Sequence, residues 1–150
     1  MEGVIFIGLQ ASGKSSFFRE KFYTTHIRLN LDMLKTRRRE DILLDACIKA
    51  KQPVVIDNTN PTIDVRKKYI IAFKQAQFRI IGFYFQSKLS VCLARNKQRE
   101  GRARIPDVGI KGTYNKLSLP NLAEGFDELY YVSLVNNQFK VQEWKIKVDD

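Results

Sequence analysis

Short apolar runs alternate along the chain with longer segments in which apolar residues recur at helical spacing. Runs rich in β-branched and aromatic residues are typical of strands that are buried in a parallel sheet. They predict strands at residues 4–7, 27–29, 54–56, 78–85 and 129–134. Helices are predicted from residue 13 or 14 to 22, and at residues 32–50, 61–76, 89–99 and 107–117. The pattern therefore predicts regular alternation of the two element types.

Polar residues at the borders of these segments predict helix caps. Asn30 or Asp32 is expected to cap the second helix, and Ser87 the helix at residues 89–99. Asn60 is expected to cap the third helix, with Pro61 in its first turn. In the second helix, we expect the core-facing residues to be the following: Met33, Leu34, Ile42, Leu43, Ala46 and Ile48.

The last part of the chain predicts a β-hairpin. Asn136-Asn137 is a turn signal, and residues 139–148 form the expected return strand. Its apolar residues at 139 and 141 are in one phase, whereas those at 144, 146 and 148 are in the other. A bulge near Gln142 or Glu143 would account for this slip.

Strands that alternate with helices predict an α/β fold with right-handed crossovers. We expect one domain over residues 1–150, a three-layer sandwich with a mainly parallel central sheet and a C-terminal hairpin. Ligands of such sheets bind beyond the carboxyl ends of the strands. Two loops, at residues 8–15 and 57–60, follow buried strands and should lie at that edge.

The first of these loops carries the strongest chemical signal in the chain. Residues 8–15 match the pattern G-x-x-x-x-G-K-[ST], and a buried strand and a helix are predicted on either side. Such a loop wraps its N–H groups around phosphates at the positive end of the helix. The expected nucleotide-binding residues are the following: Gly8, Gln10, Ala11, Ser12, Gly13, Lys14, Ser15 and Ser16. Lys14 would reach the β- and γ-phosphates and Ser15 would bind Mg²⁺.

Three further features are suited to phosphoryl transfer, although each also has a purely structural interpretation. Asp32 is placed to act as a general base or to cap a helix. Asp57 follows an apolar strand, as a Walker-B magnesium ligand does, but it could equally form a turn. Arg95 and Arg99 share one helix face. They could begin a mobile lid at about residues 95–106 or form a solvated surface.

Composition narrows the classes of function. The chain has 26 Lys and Arg against 16 Asp and Glu, a net charge of +10 that favours a polyanionic partner. The basic residues cluster at 35–39, 66–68 and 95–104. One histidine argues against histidine metal sites and serine-protease triads, and Cys47 and Cys92 are expected to be buried helix residues. No run of about 18 apolar residues and no signal peptide is evident, so we expect a cytoplasmic protein.

Taken together, the motifs resemble the polynucleotide 5′-kinase family of P-loop kinases, in particular the kinase domain of polynucleotide kinase-phosphatases. The most specific match is V-V-I-D-N-T-N-P at residues 54–61, with the phosphate loop at 8–15 and Asn30-x-Asp32 beside it. Ile105-Pro106 and L-A-E-G-F at residues 122–126 are also similar, so the likeness runs from Gly3 to about Phe126.

The resemblance implies a P-loop kinase fold and assigns roles to individual residues. Asp32 would be the base, Lys14 and Ser15 would hold ATP and Mg²⁺, and Asp57 would organise the metal or the acceptor pocket. Arg99, together with Arg95, would supply the lid arginines.

Two positions depart from the family. Leu31 stands where the family often has an arginine, and Lys35 stands where some members have one; both positions bear on contact with the acceptor phosphate. No D-x-D-G-T phosphatase motif is present, which implies a kinase without a phosphatase.

We therefore expect an enzyme that transfers the γ-phosphate of ATP to a hydroxyl, with the 5′-OH end of DNA or RNA as the acceptor. Two other functions remain open at this point. The same residues would serve a kinase for a small molecule or an aminoacyl-tRNA. A nucleotide-dependent binding module without transfer chemistry is the third interpretation. The sequence does not distinguish ATP from GTP, nor DNA from RNA.

Overall fold

The structure is a computed structural model that describes residues 1–144. The strands are β1 (Glu2–Ile7), β2 (Ile27–Leu29), β3 (Val54–Asp57), β4 (Arg79–Phe85), β5 (Glu128–Val135) and β6 (Gln138–Glu143). The helices are α1 (Lys14–Lys21), α2 (Leu31–Leu34), α3 (Arg37–Lys49), α4 (Ile63–Gln75), α5 (Leu89–Lys97) and α6 (Asp107–Lys116). Short 3₁₀ helices lie at Gly101–Ala103 and Leu122–Glu124. Within residues 1–144 no helix has the length and apolar character that crossing a membrane requires.

All of these strands form one sheet in the order β2-β3-β1-β4-β5-β6. Neighbouring strands from β2 to β5 pair in parallel, and only β6 runs antiparallel to its neighbour β5. The expected α/β fold with a mainly parallel sheet and a C-terminal hairpin is therefore confirmed. In this order β1 lies between β3 and β4, so the loop that follows β1 is at the middle of the sheet edge.

Helices cover both faces of the sheet and produce the expected three layers. On one face, Leu44 of α3 and Phe73 of α4 pack into a core with Ile5 and Ile56. On the other face, Phe17 of α1 packs with the sheet residues of a second core cluster. The strands thus lack a solvent-facing side near β1, which explains why their sequences are apolar runs rather than alternating patterns. Cys47 and Cys92 are buried in α3 and α5, as expected.

The predicted helix at residues 32–50 is in fact two helices, α2 and α3. Lys35 has a positive φ of 75°, which ends α2, and the Thr36 side chain accepts a hydrogen bond from the Arg39 N–H to cap α3. The restart changes which residues face the core. Of the predicted core residues, Met33, Ile42 and Leu43 are exposed, and the buried residues of α3 are Glu40, Leu44 and Cys47.

Two of the predicted caps are wrong because the side chains are used elsewhere. Thr62, not Asn60, caps α4 by accepting from the Val65 N–H, so Pro61 precedes the helix. Ser87 does not cap α5, because its hydroxyl donates to Phe85 O at 2.7 Å and accepts from the Leu9 N–H at 3.0 Å. At the second helix, Asn30 is the cap and accepts from the Met33 N–H at 3.1 Å.

The hairpin is present but the predicted bulge is wrong. Asn136 and Asn137 both have positive φ, and strand pairing is one to one from Val135↔Gln138 to Tyr130↔Glu143. Phe139 packs on the core face of α1, whereas Trp144 packs on the opposite core with Tyr84. The change of phase therefore reflects a hairpin that is packed on both faces. Residues 145–150, the end of the predicted return strand, lie outside the described residues.

We expect Phe6→Ala to lower the free energy of unfolding by about 3–5 kcal/mol, because it removes a fully buried ring and leaves a cavity. The Phe6 ring lies 5.8 Å from Phe17 and 5.0 Å from Phe85, measured between centroids. Urea unfolding measures the change. Val135→Ala, at a half-exposed hairpin position, is the control and should shift the value by no more than about 0.5 kcal/mol. A loss of under about 1 kcal/mol for Phe6→Ala would contradict the packing described.

Candidate active site at the carboxyl edge of the sheet

The loop at residues 8–15 joins β1 to α1 at the carboxyl edge of the sheet, as expected. It is fastened to its neighbours by backbone bonds: the Gly8 N–H donates to Thr59 O at 3.0 Å, and the Leu9 N–H donates to Ser87 Oγ. Gly13 adopts φ of 101°, a conformation that favours glycine, directly before the first residue of α1. The loop is thus held from both β3 and β4, with its helix N-terminus open to an anion.

The side chain of Lys14 folds back over this loop. Its Nζ donates to Gly8 O at 2.9 Å and to Leu9 O at 2.6 Å, and the residue is only 8% exposed. Burial lowers the pKa of Lys14 to about 8, against the opposing effect of the Asp57 charge. A buried ammonium held by neutral carbonyls has much to gain from an anionic partner such as a phosphate.

Asp57, at the end of β3, and Ser15, in the first turn of α1, come together at this edge. The Asp57 carboxylate is 1% exposed, and its Oδ2 lies 3.4 Å from Ser15 Oγ. Arg28 of β2 binds both groups: its Nε donates to Asp57 Oδ2 at 2.7 Å, and its Nη2 donates to Ser15 Oγ at 2.9 Å. The two predicted magnesium ligands thus form one oxygen pair that holds a cation from the chain itself.

This oxygen pair fits a magnesium ion. Mg²⁺ prefers oxygen ligands at about 2.1 Å, and it commonly uses one or two side chains together with substrate phosphates. Two oxygens 3.4 Å apart can bind the same ion. The guanidinium of Arg28, which already binds the Asp57 carboxylate, shows that this pair of oxygens favours a cation. Across residues 1–144 no group of three or more His, Cys, Asp or Glu side chains is placed to hold a metal. Ser15 and Asp57 are therefore the residues that would hold magnesium beside the phosphates.

The two residues before Asp32 are fixed to the loop that follows β3 by hydrogen bonds. Asn30 Nδ2 donates to Asp57 O at 2.6 Å, and the Leu31 N–H donates to Asn58 Oδ1 at 2.9 Å. Because Asn30 caps α2, the Asp32 carboxylate is not needed as a cap, and Asp32 is exposed in the first turn. Its charge opposes the effect of burial on the Lys14 pKa, which places it within electrostatic reach of the phosphate loop.

Behind Asn58 lies a buried carboxylate that the sequence did not reveal. Glu40 is fully buried and accepts from Asn58 Nδ2 at 2.9 Å, from Tyr69 Oη at 2.7 Å and from Arg37 Nη1 at 3.1 Å. Burial and the bond to Glu40 raise the pKa of Tyr69, which keeps its hydroxyl as a donor. Glu40 thereby fixes the side-chain orientation of Asn58, and through it the start of α2.

A second buried ion pair holds the loop at residues 57–60. Arg66 is 0% exposed and forms two bonds to Glu124, from Nε to Oε1 at 2.9 Å and from Nη2 to Oε2 at 3.1 Å. Its Nη1 donates to Asn60 O at 2.9 Å, and Asn60 Nδ2 donates to Phe6 O at 2.7 Å. Arg66, although it belongs to the basic cluster at residues 66–68, is therefore not available to a polyanionic partner. The pair also gives the segment at residues 122–126 a structural role.

The arginine-rich segment at residues 95–106 lies beside the phosphate loop. Arg95 Nη1 donates to Ala11 O at 3.4 Å, and Arg99 Nη1 donates to Ala103 O at 3.3 Å. The charge of Arg99 adds to the effect of burial in lowering the pKa of Lys14. Asn96, fully buried, bonds the backbone of Ile105 in both directions, which closes the segment into a compact loop. Closure of this loop over bound phosphates stays a prediction.

The remaining loop residues divide by exposure. The side-chain amide of Gln10 is engaged by α6, where Nε2 donates to Thr113 Oγ1 at 2.9 Å. Any contact of Gln10 with a phosphate would therefore come from its backbone. Ala11 and Ser12 are buried, whereas Ser15 and Ser16 are exposed in the first turn of α1. The structure thus brings the predicted nucleotide-binding residues into one loop, and their contacts with a nucleotide stay predictions.

This combination of sheet order, phosphate loop and acidic strand end defines a P-loop kinase domain. The family described as AAA_33, an AAA domain, matches residues 4–111, and the chain belongs to this family. The chain is 30% identical over 129 residues to the bifunctional polynucleotide phosphatase/kinase of Schizosaccharomyces pombe (strain 972), which confirms the resemblance deduced from the motifs. That alignment covers 83% of this chain and 32% of the relative, so the chain spans about a third of the relative's length.

Two further comparisons show how widely this fold is shared. The chain is 23% identical to the L-seryl-tRNA(Sec) kinase of Methanococcus maripaludis, with 98% of this chain and 69% of that protein covered. The structure of a gluconokinase from Sinorhizobium meliloti 1021 superimposes with a TM-score of 0.61 at 17% identity, covering 88% of this chain and 82% of the gluconokinase. At that identity the superposition supports the fold alone.

We expect the affinity for ATP to fall about tenfold between pH 7 and pH 9, because the Lys14 ammonium, whose pKa is about 8, loses its proton over that range. Bound phosphates favour the charged form, so binding at the higher pH should also take up a proton. Titration calorimetry in buffers of different ionisation enthalpy measures both effects. Lys14→Arg keeps the charge and should give a flat profile. A wild-type affinity that does not change with pH would contradict this role.

Proposed function

We propose that this protein is an ATP-dependent kinase that transfers the γ-phosphate to the 5′-hydroxyl of a polynucleotide. The observation that carries the proposal is the attachment of Asn30-Leu31-Asp32 to the loop at residues 57–60, by bonds of 2.6 and 2.9 Å. This attachment fixes the backbone next to Asp32 at the same sheet edge as the phosphate loop, and Asn30 rather than Asp32 caps α2, which supports Asp32 as the base. The identity with the fission-yeast polynucleotide phosphatase/kinase supports the polynucleotide as acceptor, and so does the net charge of +10.

The residues divide the chemistry between them. The phosphate loop binds the triphosphate of ATP, and Lys14 exchanges its carbonyl partners for the β- and γ-phosphates. Asp32 takes the proton of the acceptor hydroxyl as its oxygen bonds to the γ-phosphorus. The bond from that phosphorus to the oxygen bridging to the β-phosphate breaks, and ADP leaves. Arg99 and Arg95 stabilise the charge on the transferring group. Ser15 and Asp57 would hold a magnesium ion, which would neutralise phosphate charge.

We expect Asp32→Asn to lower transfer of labelled γ-phosphate from ATP to 5′-OH oligonucleotides at least about 100-fold, because general base catalysis contributes roughly 10²–10⁴-fold. Affinity for ATP should stay within about twofold, since Asp32 makes none of the bonds that hold the phosphate loop. DNA and RNA oligonucleotides are assayed in parallel, with 5′-phosphorylated strands as blanks.

The matched control for this variant is Asp45→Asn, at an exposed helix position whose ion-pair partner within residues 1–144 is Lys49. It should transfer phosphate at the wild-type rate. Wild-type protein that binds ATP but labels no 5′-OH strand would refute the polynucleotide acceptor. An Asp32→Asn variant with full activity would remove Asp32 as the base and leave the acceptor unaffected.

A kinase for an aminoacyl-tRNA or a small molecule is the second candidate. The specific observation in its favour is the alignment with L-seryl-tRNA(Sec) kinase, which covers 98% of this chain. Lys14, Asp32 and Ser15 would keep their roles, and only the acceptor would differ. A nucleotide-dependent binding module without transfer is the third candidate. ATP turnover that Asp32→Asn abolishes, with ATP still bound, would exclude that module.

Salt dependence separates polymeric from small acceptors. If the protein neutralises about three phosphates of a strand, the KM for an oligonucleotide should rise roughly tenfold or more between about 50 and 200 mM salt. A small uncharged acceptor should change by far less. The KM for ATP, measured over the same range, is the control for nucleotide binding. A KM for oligonucleotides that tracks the ATP value and rises no further would favour the second candidate.

A further inference from the structure

A groove lies between α1 and β2, beside the phosphate loop. Its volume is about 400 Å³, and it is lined by Ser15, Phe18, Arg19, Tyr23 and Arg28. This volume is within the range of about 300–1,000 Å³ that is typical of ligand sites. None of the roles assigned above uses its outer part.

The chemistry of its wall is aromatic and basic. Tyr23 is 72% exposed, an unusual exposure for so large a ring, whereas Phe18 beneath is 5% exposed and belongs to the core. Arg19 is exposed on α1, one turn before Tyr23 in the chain. A ring for stacking a base beside cations for the backbone is the combination with which proteins bind single-stranded nucleic acid.

The inner end of the groove reaches the site of phosphoryl transfer. Ser15 and Arg28 line it, and they are joined by the 2.9 Å bond from Arg28 Nη2 to Ser15 Oγ. Arg28 also holds Asp57 through Nε, and its side chain is 27% exposed, so part of the guanidinium faces the groove. A ligand in the groove therefore begins next to the magnesium-binding oxygens and extends toward Tyr23.

We propose that this groove binds the acceptor strand on the 3′ side of its 5′-hydroxyl end. A base stacks on Tyr23, and backbone phosphates lie between Arg19 and Arg28. This inference rests on the proposed function, since it states where the polynucleotide acceptor lies. It also distinguishes single strands from duplex ends, because a base must be unpaired from its duplex stack to lie on the ring.

The test uses four variants and two independent readouts. Binding of a 5′-OH oligonucleotide that carries fluorescein at its 3′ end is measured by anisotropy, with a non-hydrolysable ATP analogue and magnesium present. Steady-state transfer gives KM and kcat for the same strand. The variants are Tyr23→Leu, Tyr23→Phe, Arg19→Ala and the distant control Lys49→Ala.

Tyr23→Leu should raise Kd and KM by about 10- to 100-fold, which is the range expected for one lost base stack, with little change in kcat. Tyr23→Phe keeps the ring and should behave as wild type. Arg19→Ala should make the slope of log Kd against log salt less steep by about 0.7, the loss of one phosphate contact on a single strand. Lys49→Ala, on the far end of α3, should leave that slope unchanged. Melting temperatures confirm that each variant is folded.

The outcomes separate this inference from the proposed function. Equal Kd values for Tyr23→Leu and wild type, or wild type that does not bind the strand, overturn the groove assignment. Wild type that transfers phosphate to oligonucleotides while Tyr23→Leu and Arg19→Ala are unaffected leaves the kinase function in place and overturns only the groove. Wild type that binds strands through Tyr23 but transfers nothing supports the groove and refutes the kinase function.

Discussion

Four consecutive residues, 57–60, hold the phosphate loop, the start of α2 and the centre of the sheet together, and a buried ion pair holds those four residues. Arg66 donates to the Asn60 carbonyl while Glu124 neutralises it from the opposite side. A buried pair contributes little net stability, because desolvation offsets attraction, but either charge left unpaired is costly. The loop conformation that satisfies the pair is therefore strongly preferred over alternatives.

Adjacent residues of this loop form hydrogen bonds to three other parts of the molecule. Thr59 O accepts from the phosphate loop, Asn58 Oδ1 accepts from the N–H before Asp32, and Asn60 Nδ2 donates to β1. Asp57 then presents its carboxylate between α1 and β2. The specificity of the D-N-T-N run at residues 57–60 follows from these separate bonds, because each of the four residues has its own partner. Glu40, behind Asn58, extends the same network into α3 and α4.

Sequence patterns predicted the parts of this molecule that local interactions decide. Buried strands, the glycine loop and the placement of Asp57 follow from apolar runs and backbone geometry, and the structure has them where they were expected. The misplaced features are decided by distant partners or single residues. Arg28, Glu40 and Arg66 bind groups 29, 29 and 58 positions away, which periodicity cannot register. The break between α2 and α3 depends on the positive φ of a single residue, Lys35. The change of apolar phase in the hairpin depends on packing against both core clusters. The sequence signal that could have revealed this role of Arg28 was a charged residue between the two apolar residues of β2.

The guanidinium of Arg28 on Asp57 and Ser15 has a thermodynamic consequence for metal binding. Asp57 is almost fully buried and already has a counter-ion that is tethered to the chain. A divalent ion that takes these oxygens must exchange with that tethered cation, so its apparent affinity is the difference between two cation affinities. Exchange becomes favourable when the displaced guanidinium gains an anion in return. A phosphate bound at this sheet edge would supply such an anion, so metal and phosphate-bearing ligand would bind with positive cooperativity.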